Sequence, residues 1–78
     1  MTVFVIVTLK EENSFEKSKQ AFLNNEHIVH MWQATGDVDY VLEVEVDSTK
    51  ELYTIVNDLE KLEDVKHCSA HVMLHNIK

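Results

Sequence analysis

The chain's only glycine, Gly36, stands at the head of its cleanest alternating segment, and that junction constrains the fold more than any other feature. Thr35-Gly36-Asp37 reads as a turn, because glycine reaches the φ > 0 geometry that other residues resist. From Asp39 to Val46 the pattern then alternates, with Tyr40, Leu42, Val44 and Val46 on one face and Val41, Glu43 and Glu45 on the other. A period of two predicts a strand with one buried and one exposed face. Val3 to Leu9 is apolar at nearly every position and rich in β-branched types, which predicts a central strand covered on both faces. His30 to Ala34 supplies a shorter strand ahead of the turn. A last strand is expected from Val65 to Leu74, with Cys68, Ala70, Val72 and Leu74 facing one way and His67, Ser69, His71, Met73 and His75 the other.

Two helical stretches separate these strands. Asn13, three residues before Glu16, has capping-box spacing and predicts a helix over Phe15 to Leu23, ending near Asn24-Asn25. Ser48 with Glu51 repeats the spacing, and Leu52, Ile55, Val56, Leu59 and Leu62 follow as one apolar stripe. The resulting β-α-β-β-α-β order predicts an α+β, ferredoxin-like fold: a four-stranded antiparallel sheet with both helices on one face. The other face stays bare. Glu43, Glu45, His67, His71 and His75 are expected there beside Val41 and Met73, a mixture suited to a partner sheet. A two-fold homodimer with sheets face to face is the simplest closure.

With 78 residues there is room for one domain, spanning residues 1–78, and so small a domain buries little of its surface. Self-association follows as an expectation. Seven basic against fourteen acidic side chains, a formal charge of −7, would repel the phosphate backbone of a nucleic acid. The sequence shows no signal-peptide pattern and no apolar run long enough to cross a bilayer, so a cytoplasmic location without membrane contact is expected. The single cysteine, Cys68, fits a reducing compartment.

The string Thr35-Gly36-Asp37-Val38-Asp39-Tyr40-Val41-Leu42-Glu43-Val44-Glu45-Val46 resembles the T-G-D-x-D-Y-L-L-x-V-x-V signature of the effector-binding domain of Lrp/AsnC transcription regulators, also called the RAM domain. Val65-Lys66, Leu74 and Ile77-Lys78 sit where that family's terminal strand would place them, so the resemblance covers the whole chain, without a helix-turn-helix DNA-binding half. It implies a homodimeric α/β barrel that assembles into octamer-like rings and binds an amino acid or similar small effector where dimers meet. By that resemblance Thr35, Gly36, Asp37, Asp39 and Tyr40 lie at the effector site, with Cys68 and Ala70 at the positions of the family's paired threonines. Those two residues remove both hydroxyls from the expected site, which would leave polar groups of a zwitterionic ligand unpaired. Glu63-Asp64 replaces the usual Pro-Gly.

Each of these features also has a plainer reading. Asp37 and Asp39 could anchor a ligand's ammonium group or hydrogen-bond their own backbone to hold the turn. Nothing in the sequence announces the water-poor site that a catalytic carboxylate pair requires. Histidines four apart on a strand lie about 13 Å apart, so His67, His71 and His75 cannot share one ion within a subunit, and no metal or cofactor is expected. Cys68 reads as a buried, inert thiol. Trp32, with Glu43, Glu45 and His71, reads as dimer interface.

Three functions compete. The first is a regulatory module that senses a metabolite and co-assembles with full-length Lrp/AsnC regulators; it is not an enzyme and does not bind DNA alone. The second is a structural or metal-binding homo-oligomer without an amino acid effector. The third is a small α/β-barrel enzyme using the space between helices and sheet, where Tyr40, Leu42, Cys68, Ala70 and Val72 are mostly inert.

Overall fold

A computed structural model of the chain describes residues 1–11 and 15–78. Its elements are β1 (Thr2–Leu9), α1 (Lys19–Leu23), β2 (Ile28–Gln33), β3 (Tyr40–Glu45), α2 (Thr49–Glu60) and β4 (Val65–Val72). The sheet runs β2-β3-β1-β4, with every neighbouring pair antiparallel. This is the expected βαββαβ, ferredoxin-like α+β fold.

The apolar run of β1 explains its place at the centre. Val3, Val5 and Val7 are fully buried beneath the helices, while Phe4 and Ile6 point to the opposite face, where they are half-buried. Covering on both faces therefore holds only in part, because neighbouring side chains alone shield the second face. Leu42 and Val44 from β3, Val65 and Cys68 from β4, and Phe22 from α1 complete the core. The stripe of α2 delivers Leu52, Ile55 and Leu59 onto it, with Val56 and Leu62 at its margin. Burying each such side chain contributes about 1.5–3 kcal/mol.

At the start of α2 the Ser48 hydroxyl accepts the Glu51 N–H at 3.1 Å, as a capping box requires. The Glu51 carboxylate reaches one residue further back than expected and accepts the Asp47 N–H at 3.1 Å. Asn13, the expected cap of the first helix, lies outside the described residues. Helix α1 is shorter than the expected Phe15 to Leu23, for a reason set 46 residues away. The Ser18 N–H donates to the Asp64 carboxylate at 3.0 Å, and the Asp64 N–H donates back to the Ser18 hydroxyl at 3.4 Å. This reciprocal pair is buried and holds residues 15–18 in a turn, so the regular helix begins only after it.

Strand ends also differ from expectation. β2 begins at Ile28, paired with Val44 across an irregularity before His30, and Ala34 falls outside it. β4 ends at Val72: the Met73 N–H still reaches the Thr2 carbonyl at 3.1 Å, and Thr2 is the last residue of β1 on that side. His75 consequently lies beyond the strand rather than on its face. Ala70 and Val72 pair with Val5 and Val3 on the helix side, yet both are exposed, because burial by α2 stops at Cys68.

Candidate functional site

The turn after β2 and the first residue of β3 enclose a recess of about 320 Å³ lined by Gln33, Ala34, Thr35, Gly36, Val38, Asp39 and Tyr40, with Leu9 from the end of β1. Gly36 turns the loop with φ 96°, a conformation that side chains resist. Asp39 then ties the loop down at three points. Its carboxylate accepts the Leu9 N–H at 2.7 Å, its N–H donates to the Val7 carbonyl at 3.0 Å, and its carbonyl accepts the Ala34 N–H at 2.9 Å. A carboxylate receiving a backbone N–H forms one of the stronger hydrogen bonds available to a protein. Asp39 thus holds the loop with its side chain and its backbone together, two of the three bonds reaching β1. Tyr40 forms the wall toward α1, stacked on Phe15 with ring centroids 4.4 Å apart. Behind that wall lies a second, more open recess of about 370 Å³ that shares Gln33 and Tyr40.

Of the residues singled out from the sequence, Thr35, Gly36, Asp39 and Tyr40 come together in the recess. Asp37 sits at the loop tip, exposed and outside its lining. Cys68 and Ala70 lie elsewhere in the subunit, since Tyr40 pairs with Val7, and Val7 in turn with Cys68, so β1 separates them from the loop. Burial and the nearby Glu60 charge push the Cys68 thiol up to about 11, which keeps it protonated and unreactive at neutral pH. Gln33, Val38 and Leu9 join the recess without a motif residue that points to them. Gln33 stands two residues before the signature and alternates with Met31, a signal carried by the second strand as a whole.

The bare sheet face gathers the other group. Trp32 is 48% exposed, packs 6.5 Å from Phe4 and 5.4 Å from His30 between ring centroids, and adjoins half-buried Ile6 and Val41. Polar groups sit among them: His30 Nδ1 lies 3.3 Å from a Glu43 carboxylate oxygen, and the Ser69 hydroxyl lies 3.0 Å from His71 Nε2. Glu45 accepts the Thr2 hydroxyl at the face's end. His27 and His67 face Glu51 and Glu60 at 3.5 and 3.7 Å. Among the described residues no three His, Cys, Asp or Glu side chains gather as a metal site would require, and no helix is long and apolar enough to cross a membrane.

A family model described as Lrp/AsnC ligand binding domain matches residues 2–78. No curated protein matches the chain by sequence. Among solved structures, the fold is shared with a transcriptional regulator from Neisseria meningitidis, NMB0573, solved in complex with L-Met (TM-score 0.87, 20% identity), covering 99% of this chain and 51% of that one. LrpC of B. subtilis is similar over 99% of this chain and 52% of its own (TM-score 0.83, 17% identity). The chain thus spans about half the length of these regulators. TTHA0845 from Thermus thermophilus has the same fold over 99% of this chain and 96% of its own (TM-score 0.84, 20% identity).

Proposed function

Because this chain belongs to the Lrp/AsnC ligand-binding domain family, we propose that it is a regulatory module that binds a small effector, probed first with amino acids, in the recess of the 35–40 loop. The observation that carries this reading is the recess itself: a glycine turn fixed to β1 by Asp39, with backbone and side-chain polar groups around a space of about 320 Å³. Exposed Asp37 is free of the loop's scaffolding and is the residue that would meet a ligand's ammonium group. Cys68 and Ala70 would take part only through a neighbouring subunit. The bare sheet face, with Trp32, Glu43, Glu45 and His71, is the homodimer interface in this reading, and rings of dimers would bring recesses together. A full-length Lrp/AsnC regulator is the partner through which such a module would act on transcription, since the chain's own charge of −7 disfavours DNA. An enzyme reading is disfavoured because buried Val5, Leu42 and Val44 pack the centre between helices and sheet, and the open recess beside α1 is walled largely by Phe15, Leu23, Met31 and Tyr40.

The test is thermal denaturation against a panel of amino acids. A ligand at about 100 times its dissociation constant stabilises by about 2.7 kcal/mol. A melting shift with one or a few amino acids, lost in Asp37→Ala, is expected. No shift with any of them would favour the second reading, an oligomer without an amino acid effector, which the missing hydroxyls at Cys68 and Ala70 support.

A further inference from the structure

The recess at the loop and the recess beside α1 have Gln33 and Tyr40 in common but differ in chemistry. At the loop the lining includes Thr35, Gly36 and Asp39, whereas beside α1 it includes Phe15, Leu23 and Met31. The shared pair marks one row of the sheet: Gln33 pairs with Tyr40, and Met31 pairs with Leu42 in the next row on the same face. Side chains two apart on a strand lie about 7 Å apart, so the apolar recess begins one such step from the loop. It stays open because α1 is short and is held elsewhere. The Ser18–Asp64 bonds draw the start of α1 toward the turn before β4, across the sheet from β2. Its five residues end at Leu23, which remains 58% exposed. Glu16 and Lys19, both exposed and of opposite sign, leave the rim without net charge.

We propose that the ligand is an amino acid with a long, uncharged side chain, whose head group lies at the loop and whose side chain passes Gln33 and Tyr40 into the recess beside α1. The inference rests on the reading of the loop as an effector site and adds which effectors that site takes. A short side chain, such as that of alanine, ends over Tyr40 and leaves Phe15, Leu23 and Met31 in contact with water. A four-carbon chain or a ring reaches them, and each further methylene taken from water tightens binding about fourfold. The wall exists before a ligand arrives: the Phe15 ring is buried, with its centroid 4.4 Å from that of Tyr40 and 5.2 Å from that of Phe22, and Met31 packs on the core. A charged side-chain end forfeits the gain, because these apolar walls offer it no hydrogen-bond partner in exchange for its water.

Isothermal titration calorimetry of the full chain with L-alanine, L-norleucine, L-phenylalanine and L-lysine tests the assignment. L-Norleucine and L-phenylalanine should bind at least tenfold more tightly than L-alanine. L-Norleucine should also exceed L-lysine at least tenfold, since lysine has similar reach but ends in a charge. Leu23→Trp fills the recess from an exposed position and should cut the preference for L-norleucine over L-alanine below threefold. L-Alanine or L-lysine binding as tightly as L-norleucine would overturn the side-chain recess while leaving the loop as an effector site. An undiminished preference in Leu23→Trp would overturn the seat beside α1. No binding of any of the four overturns the recess, and with no melting shift across the amino acid panel the loop reading falls as well.

Discussion

Asp37 and Asp39 are two residues apart and chemically alike, yet the structure gives them different work. Asp39 holds the loop to Leu9, Val7 and Ala34, whereas Asp37 is exposed at the tip. Asp39→Ala leaves the partly buried Leu9 N–H without its acceptor, and urea denaturation should show a loss of about 1–3 kcal/mol. Asp37→Ala should leave stability unchanged and affect only ligand binding. The motif locates both residues in the sequence but cannot separate these roles, because the acceptor relation to Leu9 spans 30 residues. Cys68 makes a prediction in pH. Its folded-state value of about 11 lies above the ordinary 9.0, so on raising the pH the unfolded chain loses the thiol proton first. The contribution is nil below pH 9, and stability then falls between about pH 9 and 11. That part of the alkaline fall should be missing from a Cys68→Ala variant followed by urea denaturation at each pH.

At the scale of elements, legibility follows whether the cause is local. The alternation of β3 and the stripe of α2 are written in neighbouring residues, and both elements form where periodicity places them. Helix α1 is different, because its start is set by the Ser18–Asp64 pair, which joins two turns remote in sequence. No window over residues 15–23 contains that information, so local periodicity starts the helix at Phe15 where the structure starts it at Lys19. The same holds for Ala70 and Val72, whose side of the sheet is legible but whose exposure depends on where α2 stops. Ser18→Ala and Asp64→Ala should each cost about 1–3 kcal/mol in urea denaturation, since each leaves the other residue's buried N–H without its acceptor. No loss of stability in either variant would mean that the pair is incidental to the turn.

For the whole molecule, one face of the sheet is covered by helices and the other is bare, and the proposed homodimer would cover the second. Phe4, Ile6, Trp32 and Val41 form an apolar strip crossed by His30, Glu43 and His71, a mixture that suits the proposed wet dimer interface. Trp32 is half exposed in the subunit, so Trp32→Ala should spare the monomer's fold and cost about 2 kcal/mol or more in dimerisation, measured by sedimentation. The fold and the loop are legible because strand order and glycine turn leave local marks. The composition of the recess is legible only in part, because Cys68 and Ala70 fall behind β1 in the subunit and would join a site only in the proposed assembly. The 35–40 loop is proposed to receive a small ligand, and the chain's single glycine, Gly36, is a built-in probe of that loop. Glycine-selective 15N labelling gives one backbone signal, from Gly36. Titration with the amino acid that stabilises the protein should shift or broaden that signal with the same dissociation constant as the thermal data. A Gly36 signal that stays fixed while the ligand saturates the protein would contradict the assignment of the site.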